Sequence, residues 1–355
     1  MSPSTNVISD SKNARSRLNA AGIVSLIVFG LFTFLIQILP DRIFYEGDDV
    51  VIRNMKISDA DYLTSGSPSP RMLIAGSSRL IPQDHVAVAK EALLSPDQVL
   101  NVSSPGATFF YVDTFLKRHP EVTKDLQLLV IDVMPSQIMF GNHFKESAAF
   151  FLRNASAAQR IRVREFDNRV KAIMDLCLPT WSRSQTPHGW AKGIRRIDMD
   201  AGEVKEDILS RSRFEMPRWR KMMAMMDRVR KKEGAAQNRT RIMLYPKPDI
   251  SRNQMDALHN IINRVPDDCR IALVWLPLVA ESQSKINIGP NTSASQKALT
   301  TFLESIVDSK LHVYRYLHSN ELGLGESHYT LDGVHFTPDG SALVSEKLGE
   351  IFRTL

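Results

Sequence analysis

From about residue 71 onward, short continuous hydrophobic runs alternate with longer segments in which hydrophobic residues recur at helical spacing. The runs LQLLVIDV and RIALVWL hardly alternate with polar residues, which is typical of strands buried on both faces of a parallel sheet. The pattern predicts strands at residues 72–75, 99–102, 126–133, 270–276 and 311–314. It predicts helices at residues 83–94, 107–118, 253–265, 294–309 and 340–352. Because strands and helices alternate, we expect an α/β fold with a parallel sheet of about five strands between two layers of helices.

The alternation is interrupted once, by an arginine-rich segment at about residues 141–247. Its densest part is RKMMAMMDRVRKK at residues 220–232, where methionines recur at helical spacing. Such a group is typical of a helix that packs into a core with its arginines in solvent. It is also compatible with an amphipathic helix on anionic lipid or against a membrane partner. The sequence therefore predicts a mostly helical, basic insertion and leaves its role open.

The hydrophobic stretch at residues 20–39 is of a different kind, because it carries no charge over the length that a helix needs to span a bilayer core, about 30 Å. Lys12, Arg15 and Arg17 precede it, and this basic flank predicts a cytoplasmic N-terminus. No small-residue cleavage site follows, which disfavours a cleaved signal peptide. We expect a single-pass protein of a bacterial inner membrane, whose main domain lies in the periplasm or outside the cell. Its expected parts are a basic cytoplasmic tail at 1–19, the anchor at 20–39, a connecting arm at 40–70 and a domain at 71–355.

The charge of the chain limits the classes of partner, and its cysteines bear on zinc binding and disulfide pairing. The net charge is +6 and the isoelectric point is about 9.3, which suits an anionic partner. Lysine and arginine are spread widely without a nucleic-acid motif, so we expect a membrane surface or an anionic polymer and no nucleic acid. The two cysteines, Cys177 and Cys269, lack zinc-type spacing, and whether they pair is left open.

Two motifs carry candidate chemistry. The first predicted strand ends in GSSR, residues 76–79, and YTLDGVHFTPDG stands just before the C-terminal helix. Loops at the carboxyl ends of parallel strands meet at one edge of the sheet, so the two motifs can meet in space. A serine hydroxyl needs a base to take its proton, and histidine supplies one whose tautomer a carboxylate fixes. We therefore predict that Ser78 is the nucleophile, His335 the base and Asp332 the orienting acid, with no metal or diffusible cofactor.

Each motif alone has a simpler interpretation. Small polar residues such as Ser77 and Ser78 end strands in ordinary turns. A lone Asp332-x-x-His335 spacing is typical of a capped helix start. The combination of both motifs, one after the first strand and one after the last, favours a site.

Together the motifs resemble the SGNH, or GDSL-like, hydrolases, whose fold is a flavodoxin-like three-layer α/β arrangement. Gly76, Ser77 and Ser78 are similar to the family's nucleophile block, and Asp332 and His335 are similar to its last block. The resemblance runs from Met72 to the C-terminus apart from the insertion. It implies a Ser-His-Asp triad and a serine esterase or acyltransferase activity.

The oxyanion hole is the part in which the resemblance is incomplete. Gly106 in NVSSPGATFF is similar to the family glycine whose backbone N–H helps to form the hole. The family's next block, Gly-x-Asn-Asp, is missing, and VIDVMPSQIMFGNHF offers Ser136 and Gln137 at the expected place and Asn142 later. A Gln137 amide can supply the N–H donor that the missing asparagine supplies elsewhere. We expect Gln137, or failing it Ser136, to complete the hole, with Asn142 as the competing choice.

The altered block, the GSSRL start and the N-terminal anchor together resemble one branch of the family. It contains the D-alanyl-lipoteichoic-acid transfer protein and, more distantly, the alginate O-acetylation proteins. This resemblance implies acyl transfer to, or ester cleavage on, a cell-envelope polysaccharide, exopolysaccharide or related acylated polymer, beside a multi-pass membrane acyltransferase. The alternative is a non-catalytic SGNH-like scaffold that assembles with such an acyltransferase, and the missing Gly-x-Asn-Asp block favours it.

Overall fold

The computed structural model describes residues 20–32, 34–35, 69–103, 107–138, 155–163, 166–177, 203, 250–278, 292–306, 308–316, 318–330 and 333–354. The strands are β1 (Met72–Ile74), β2 (Val99–Asn101), β3 (Leu128–Asp132), β4 (Arg270–Trp275) and β5 (Leu311–Arg315). The α-helices from residue 69 onward are α1 (His85–Ala92), α2 (Phe109–Arg118), α3 (Pro135–Ile138), α4 (Ala157–Ile161), α5 (Phe166–Cys177), α6 (Arg252–Arg264), α7 (Thr292–Ser305) and α8 (Pro338–Thr354). Short 3₁₀ turns occupy Pro96–Gln98, Pro120–Thr123, Ser319–Leu322 and Glu326–His328. The five predicted strands and the five predicted helices are confirmed, with ends that differ by a few residues.

The five strands form one parallel sheet in the order β2-β1-β3-β4-β5. Ile74 at the end of β1 lies opposite Asn101 in β2 and Val130 in β3. From β1 the chain crosses to one side of the sheet, and from β3 it proceeds to the other side. In sheets of this order a crevice opens at the carboxyl ends of the two strands where the direction reverses. That crevice lies at the ends of β1 and β3.

Two layers of helices cover the sheet because successive side chains of each strand point to opposite faces. One face, with Leu73 and Leu129, packs against α2, α6 and α7. The other face, with Ile74 and Val130, packs against α1 and α8. All three residues of β1 and all five of β3 are buried, which explains their continuous hydrophobic runs. The expected α/β fold is thus present.

Helices α1 and α8 pack closely across this second face. Asp84 caps α1 by accepting the Val86 N–H at 3.0 Å. Gly349 of α8 permits the close approach, since a Cβ there would lie 2.6 Å from the Val88 carbonyl oxygen. The C-terminal helix is therefore fixed against the helix that follows the GSSR turn.

Helices α4 and α5 lie in the segment expected to form the insertion. A capping box starts α4, in which Ser156 Oγ accepts from the Gln159 N–H at 3.3 Å. Arg160, 7 % exposed, donates to Asp175 Oδ2 at 2.9 Å and so joins α4 to α5. The methionine-rich residues 220–232 lie outside the described residues.

The N-terminal helical residues 20–32 and 34–35 carry exposed apolar side chains, among them Leu26 at 71 % and Phe34 at 58 % exposure. Within the described part of the chain, no helix combines the length and the apolar character that crossing a membrane requires. The remaining residues of the expected anchor, and nearly all of the connecting arm, lie outside the described residues.

Cys269, just before β4, is a buried free thiol, so it takes no part in a disulfide with Cys177. Burial, with a smaller effect of the nearby Asp268 carboxylate, raises the pKa of the Cys269 thiol to about 12. The thiol therefore stays protonated and behaves as a small core residue.

Candidate active site

The candidate nucleophile lies in a tight turn directly after β1. The Leu80 N–H donates to the Ser77 carbonyl oxygen at 3.0 Å and closes this turn over Ser78. Gly76 leads into it, and a Cβ at Gly76 would overlap with Asp132 Oδ1. A glycine suits this position because the Asp132 side chain, at the end of β3, lies so close to the Gly76 backbone.

The two serines of the turn have different environments. Asp132, the last residue of β3, is 2 % exposed. Its carboxylate accepts the Ser77 N–H at 2.6 Å on Oδ1 and the Ser77 hydroxyl at 2.5 Å on Oδ2. Hydrogen bonds to a buried charged acceptor are stronger than those between neutral groups. The Ser77 hydroxyl is therefore held in a structural bond, while Ser78 is half-buried at the open end of the strand.

Ser78 contacts the histidine expected from the second motif. Its Oγ lies 2.8 Å from His335 Nε2. When the ring proton is on Nδ1, Nε2 accepts the serine hydroxyl proton, which is the contact that a base needs in order to activate an alcohol. The prediction that Ser78 and His335 come within hydrogen-bonding distance is confirmed; their catalytic roles stay predictions.

His335 lies in a short loop before α8, and the two ends of this loop pair in antiparallel fashion. Tyr329 and Phe336 form an antiparallel bridge at its base. The Thr330 N–H donates to the His335 carbonyl oxygen at 2.8 Å, and Gly333, with φ of +68°, turns the chain between them. The histidine backbone is therefore fixed by the loop itself.

One backbone amide of the serine turn has no acceptor among the residues that the structure describes. Within residues 76–80, four N–H groups donate to protein oxygens, and the exception is Ser78 N–H, which reaches no acceptor among the described residues. The acceptors of the other four are Ser103 Oγ, Asp132 Oδ1, Ser77 Oγ and the Ser77 carbonyl oxygen. Ser78 thus presents an N–H donor beside the candidate nucleophile, where it could contribute to an oxyanion hole.

The serine turn is also held from the β2 side. Asn101, at the end of β2, donates from Nδ2 to the Leu80 carbonyl oxygen at 2.9 Å. Its Oδ1 accepts the Ser103 N–H at 3.1 Å, and Ser103 Oγ accepts the Gly76 N–H at 3.1 Å. Hydrogen bonds from both neighbouring strands therefore fix the turn.

The last residue of GSSR is buried. Arg79 is 1 % exposed and donates to the carbonyl oxygens of Val334 from Nε at 3.0 Å, Leu276 from Nη1 at 2.9 Å and Pro277 from Nη2 at 2.5 Å. Its guanidinium carbon also lies 5.0 Å from the centre of the Phe336 ring. The arginine thus joins the serine turn to the loop of His335 and to the exit of β4.

The remaining expected site residues are placed only in part. Asp332, Gly106 and Asn142 lie outside the described residues. Ser136 and Gln137 lie in α3, which follows β3 at the same edge of the sheet as Ser78, and their side chains are outside the described part. Their roles in an oxyanion hole therefore stay predictions.

Asp132 and Arg79 belong to this site but are not among the residues predicted from the sequence. A signal for Asp132 exists, because it is the single charged residue in the run LQLLVIDV and the pairing of β1 with β3 sets it beside the GSSR turn. Arg79 offered no comparable signal, since a cation after a turn is usually solvated. Among the described residues, no three His, Cys, Asp or Glu side chains cluster closely enough to hold a metal ion.

Comparisons with known proteins add no assignment. No protein-family model matches the chain, and no curated protein matches it in sequence. Function is therefore inferred from the geometry around Ser78 and His335.

Proposed function

We propose that this chain is a membrane-anchored, extracytoplasmic serine acyl-ester enzyme, an O-acyltransferase or esterase of SGNH type. The observation that carries the proposal is the 2.8 Å contact between Ser78 Oγ and His335 Nε2 at the switch point of a parallel sheet. A hydroxyl and an imidazole in this contact form the functional pair of nucleophilic acyl transfer.

The proposed first step transfers an acyl group to the serine. Ser78 Oγ bonds to the ester carbonyl carbon while its proton passes to His335 Nε2, and the negative charge on the carbonyl oxygen is stabilised by the Ser78 N–H. The ester C–O bond then breaks, and the leaving alcohol takes the proton from His335. Asp332 holds the histidine ring in this proposal, and Gly106 with Gln137, Ser136 or Asn142 completes the oxyanion hole.

The second step releases the acyl group by the reverse route. Water or a polymer hydroxyl gives its proton to His335 Nε2 and bonds to the acyl carbon, and the Ser78 ester bond breaks as Oγ regains a proton. Water yields an esterase, whereas a polymer hydroxyl yields a transferase.

The choice of Ser78 over Ser77 rests on the bonds of each hydroxyl. Ser77 donates to the buried Asp132 carboxylate, so its attack on a substrate would first break a charge-assisted bond. Ser78 Oγ contacts the imidazole of His335, which can take its proton, and Ser78 is half-buried rather than enclosed. The neighbouring hydroxyls therefore take separate roles, one structural and one reactive.

The rest of the chain supports the proposed location and substrate. The exposed apolar helix at residues 20–32 and 34–35 and the basic residues before it support an anchor with the domain outside the cytoplasm. The net charge of +6 favours an anionic envelope polymer as the acceptor or acylated substrate. A multi-pass membrane acyltransferase is the proposed partner that supplies acyl groups.

A serine-directed fluorophosphonate probe tests the activity on the full-length chain in detergent. Labelling forms an O–P bond to Ser78, breaks the P–F bond and passes the hydroxyl proton to His335. We expect labelling of the wild type and of Ser95→Ala, an exposed serine variant, and loss of labelling in Ser78→Ala and His335→Asn. Peptide mapping must locate the probe on Ser78. A folded wild-type chain that takes no label would overturn the enzyme and favour the non-catalytic scaffold.

The rate at which the acyl group leaves Ser78, measured with and without an acceptor polymer, distinguishes a transferase from an esterase. The acyl-enzyme is formed with p-nitrophenyl acetate, and deacylation is followed with and without a soluble anionic polysaccharide. A transferase acetylates the polymer and turns over faster in its presence, whereas an esterase releases acetate at the same rate in both.

A further inference from the structure

Arg79 is a buried cation beside the candidate nucleophile. Its side chain is 1 % exposed, and removing a guanidinium from water is unfavourable unless its N–H groups are hydrogen-bonded. An apolar side chain would fill the same space without that penalty. The presence of an arginine at this buried position is therefore explained by the groups to which its N–H donors are hydrogen-bonded.

Those donors reach loops of the candidate site. Nε bonds to the carbonyl oxygen of Val334, the residue before His335, at 3.0 Å. Nη1 and Nη2 bond to the carbonyl oxygens of Leu276 and Pro277, which follow β4. The planar fork of arginine suits this task, because it aims several donors in fixed directions.

The residue after His335 contacts the same side chain. The guanidinium carbon lies 5.0 Å from the Phe336 ring centre, within the range of a cation–π contact. Phe336 also packs against Tyr329, with ring centres 5.3 Å apart, where the histidine loop closes. Arg79 therefore touches both chain neighbours of His335, while its own backbone adjoins Ser78.

We infer that Arg79 is a positioning residue, which couples the serine turn to the histidine loop and sets the distance between Ser78 Oγ and His335 Nε2. Its effect on reactivity rests on the proposed function, because Arg79 acts through His335 and not on a substrate. Lysine keeps the charge but loses the fork, so Arg79→Lys loosens the histidine loop without removing the cation.

Arg160 provides a matched control. It is also a buried arginine, 7 % exposed, which donates to the carbonyl oxygens of Ala155 and Ala172 and to Asp175, but it joins α4 to α5 in the insertion. Arg160→Lys therefore makes the same chemical change without touching Ser78 or His335.

The test measures fluorophosphonate labelling of the full-length chain against probe concentration, with thermal unfolding of each variant alongside. We expect Arg79→Lys to lower the maximal labelling rate by about 10²-fold, the effect of misplacing a reacting group by roughly 1 Å, and to leave the half-saturating probe concentration unchanged. Arg160→Lys keeps the wild-type rate. Equal maximal rates for Arg79→Lys and Arg160→Lys would overturn the inference.

A milder pair of variants covers the case in which Arg79→Lys does not fold. Phe336→Leu removes the ring that contacts the Arg79 guanidinium. The control, Phe352→Leu in α8, removes a ring whose centre lies 5.9 Å from the guanidinium carbon of Arg71. We expect slower labelling for Phe336→Leu alone, and equal rates for the two variants would overturn the inference.

If the wild type takes no label, the proposed function fails, and the position of His335 is then measured directly. Nitrogen NMR of the histidine ring is recorded for the wild type and both arginine variants. A change in the His335 signals in Arg79→Lys but not in Arg160→Lys supports the inference, and unchanged signals in Arg79→Lys contradict it.

Discussion

Removing the Ser77 hydroxyl tests whether Asp132 anchors the serine turn. The carboxylate is 2 % exposed and accepts this hydroxyl at 2.5 Å as well as the Ser77 N–H at 2.6 Å. A hydrogen bond to a charged group contributes about 1.5–3 kcal/mol to the free energy of unfolding. Because Ser77→Ala removes this donor and leaves the carboxylate buried, we expect a loss of about 1.5–3 kcal/mol.

Thr114→Val is the control for this measurement. Thr114 is 6 % exposed and donates from Oγ1 to the neutral carbonyl oxygen of Phe110 at 2.8 Å. Losing a bond between neutral groups lowers the free energy of unfolding by about 0.5–1.5 kcal/mol. The two variants thus remove one buried hydroxyl each and differ in the charge of the acceptor.

The assay is urea unfolding of the full-length chain in detergent, followed by tryptophan fluorescence, to which Trp275 in β4 contributes, with thermal unfolding as a second measure. For a domain of this size, Ser77→Ala should lower the midpoint temperature by about 3–12 °C. Labelling of Ser78 should slow in parallel, because the turn is less firmly held. If Ser77→Ala costs no more than Thr114→Val, Asp132 is not a charged anchor and our interpretation is wrong.

Further predictions concern residues near and away from the site. Gly76→Ala should greatly reduce both thermal stability and labelling, because the added Cβ overlaps with Asp132. The control, Gly325→Ala, should unfold at the wild-type temperature, because its Cβ would have its nearest contact at 3.7 Å. The Cys269 thiol should resist iodoacetamide at pH 8 in the folded chain and react after denaturation, because burial raises its pKa to about 12 and leaves little thiolate; rapid alkylation of Cys269 in the folded chain, located by peptide mapping apart from Cys177, would contradict this. If His335 is the base, nitrogen NMR should find a ring proton on Nδ1, because Nε2, 2.8 Å from Ser78 Oγ, must then accept the serine hydroxyl proton; a proton on Nε2 instead would contradict base catalysis.

The fold could be predicted because buried strands and helices have recognisable hydrophobic patterns in the sequence. Strands such as β3 and β4 are buried on both faces, so they appear as continuous hydrophobic runs, and helices lie between them. Alternation of the two implies parallel strands, and parallel strands bring their following loops to one edge. That rule indicates that the loops of Ser78 and His335, which are separated by most of the domain, can meet, and the chemistry of a serine–histidine pair singled out these two residues within them.

The partners of the turn could not be predicted in the same way, because they depend on register and on side-chain direction. Ile74 lies opposite Val130, so Asp132 comes beside the turn only when β1 and β3 pair in this register. A one-residue shift would turn its side chain to the other face. Arg79 can be buried because three carbonyl oxygens accept its N–H groups. Backbone carbonyl groups are the same in every residue, so the sequence does not show which of them will lie around Arg79.

The same register explains why two adjacent serines differ. Asp132 accepts from both the N–H and the hydroxyl of Ser77, so Ser77 has no hydrogen-bond donor left for a substrate in the described structure. The next residue, Ser78, keeps its N–H without a described acceptor, and its Oγ lies 2.8 Å from His335 Nε2. A hydroxyl beside a base and an N–H donor near the reacting carbonyl oxygen both serve acyl transfer, because the serine bonds to the carbonyl carbon while negative charge develops on its oxygen. A scaffold needs the Asp132 anchor as much as an enzyme does, but only an enzyme needs Ser78 N–H to remain available. Labelling of Ser78 therefore distinguishes the two functions more directly than any measurement of stability.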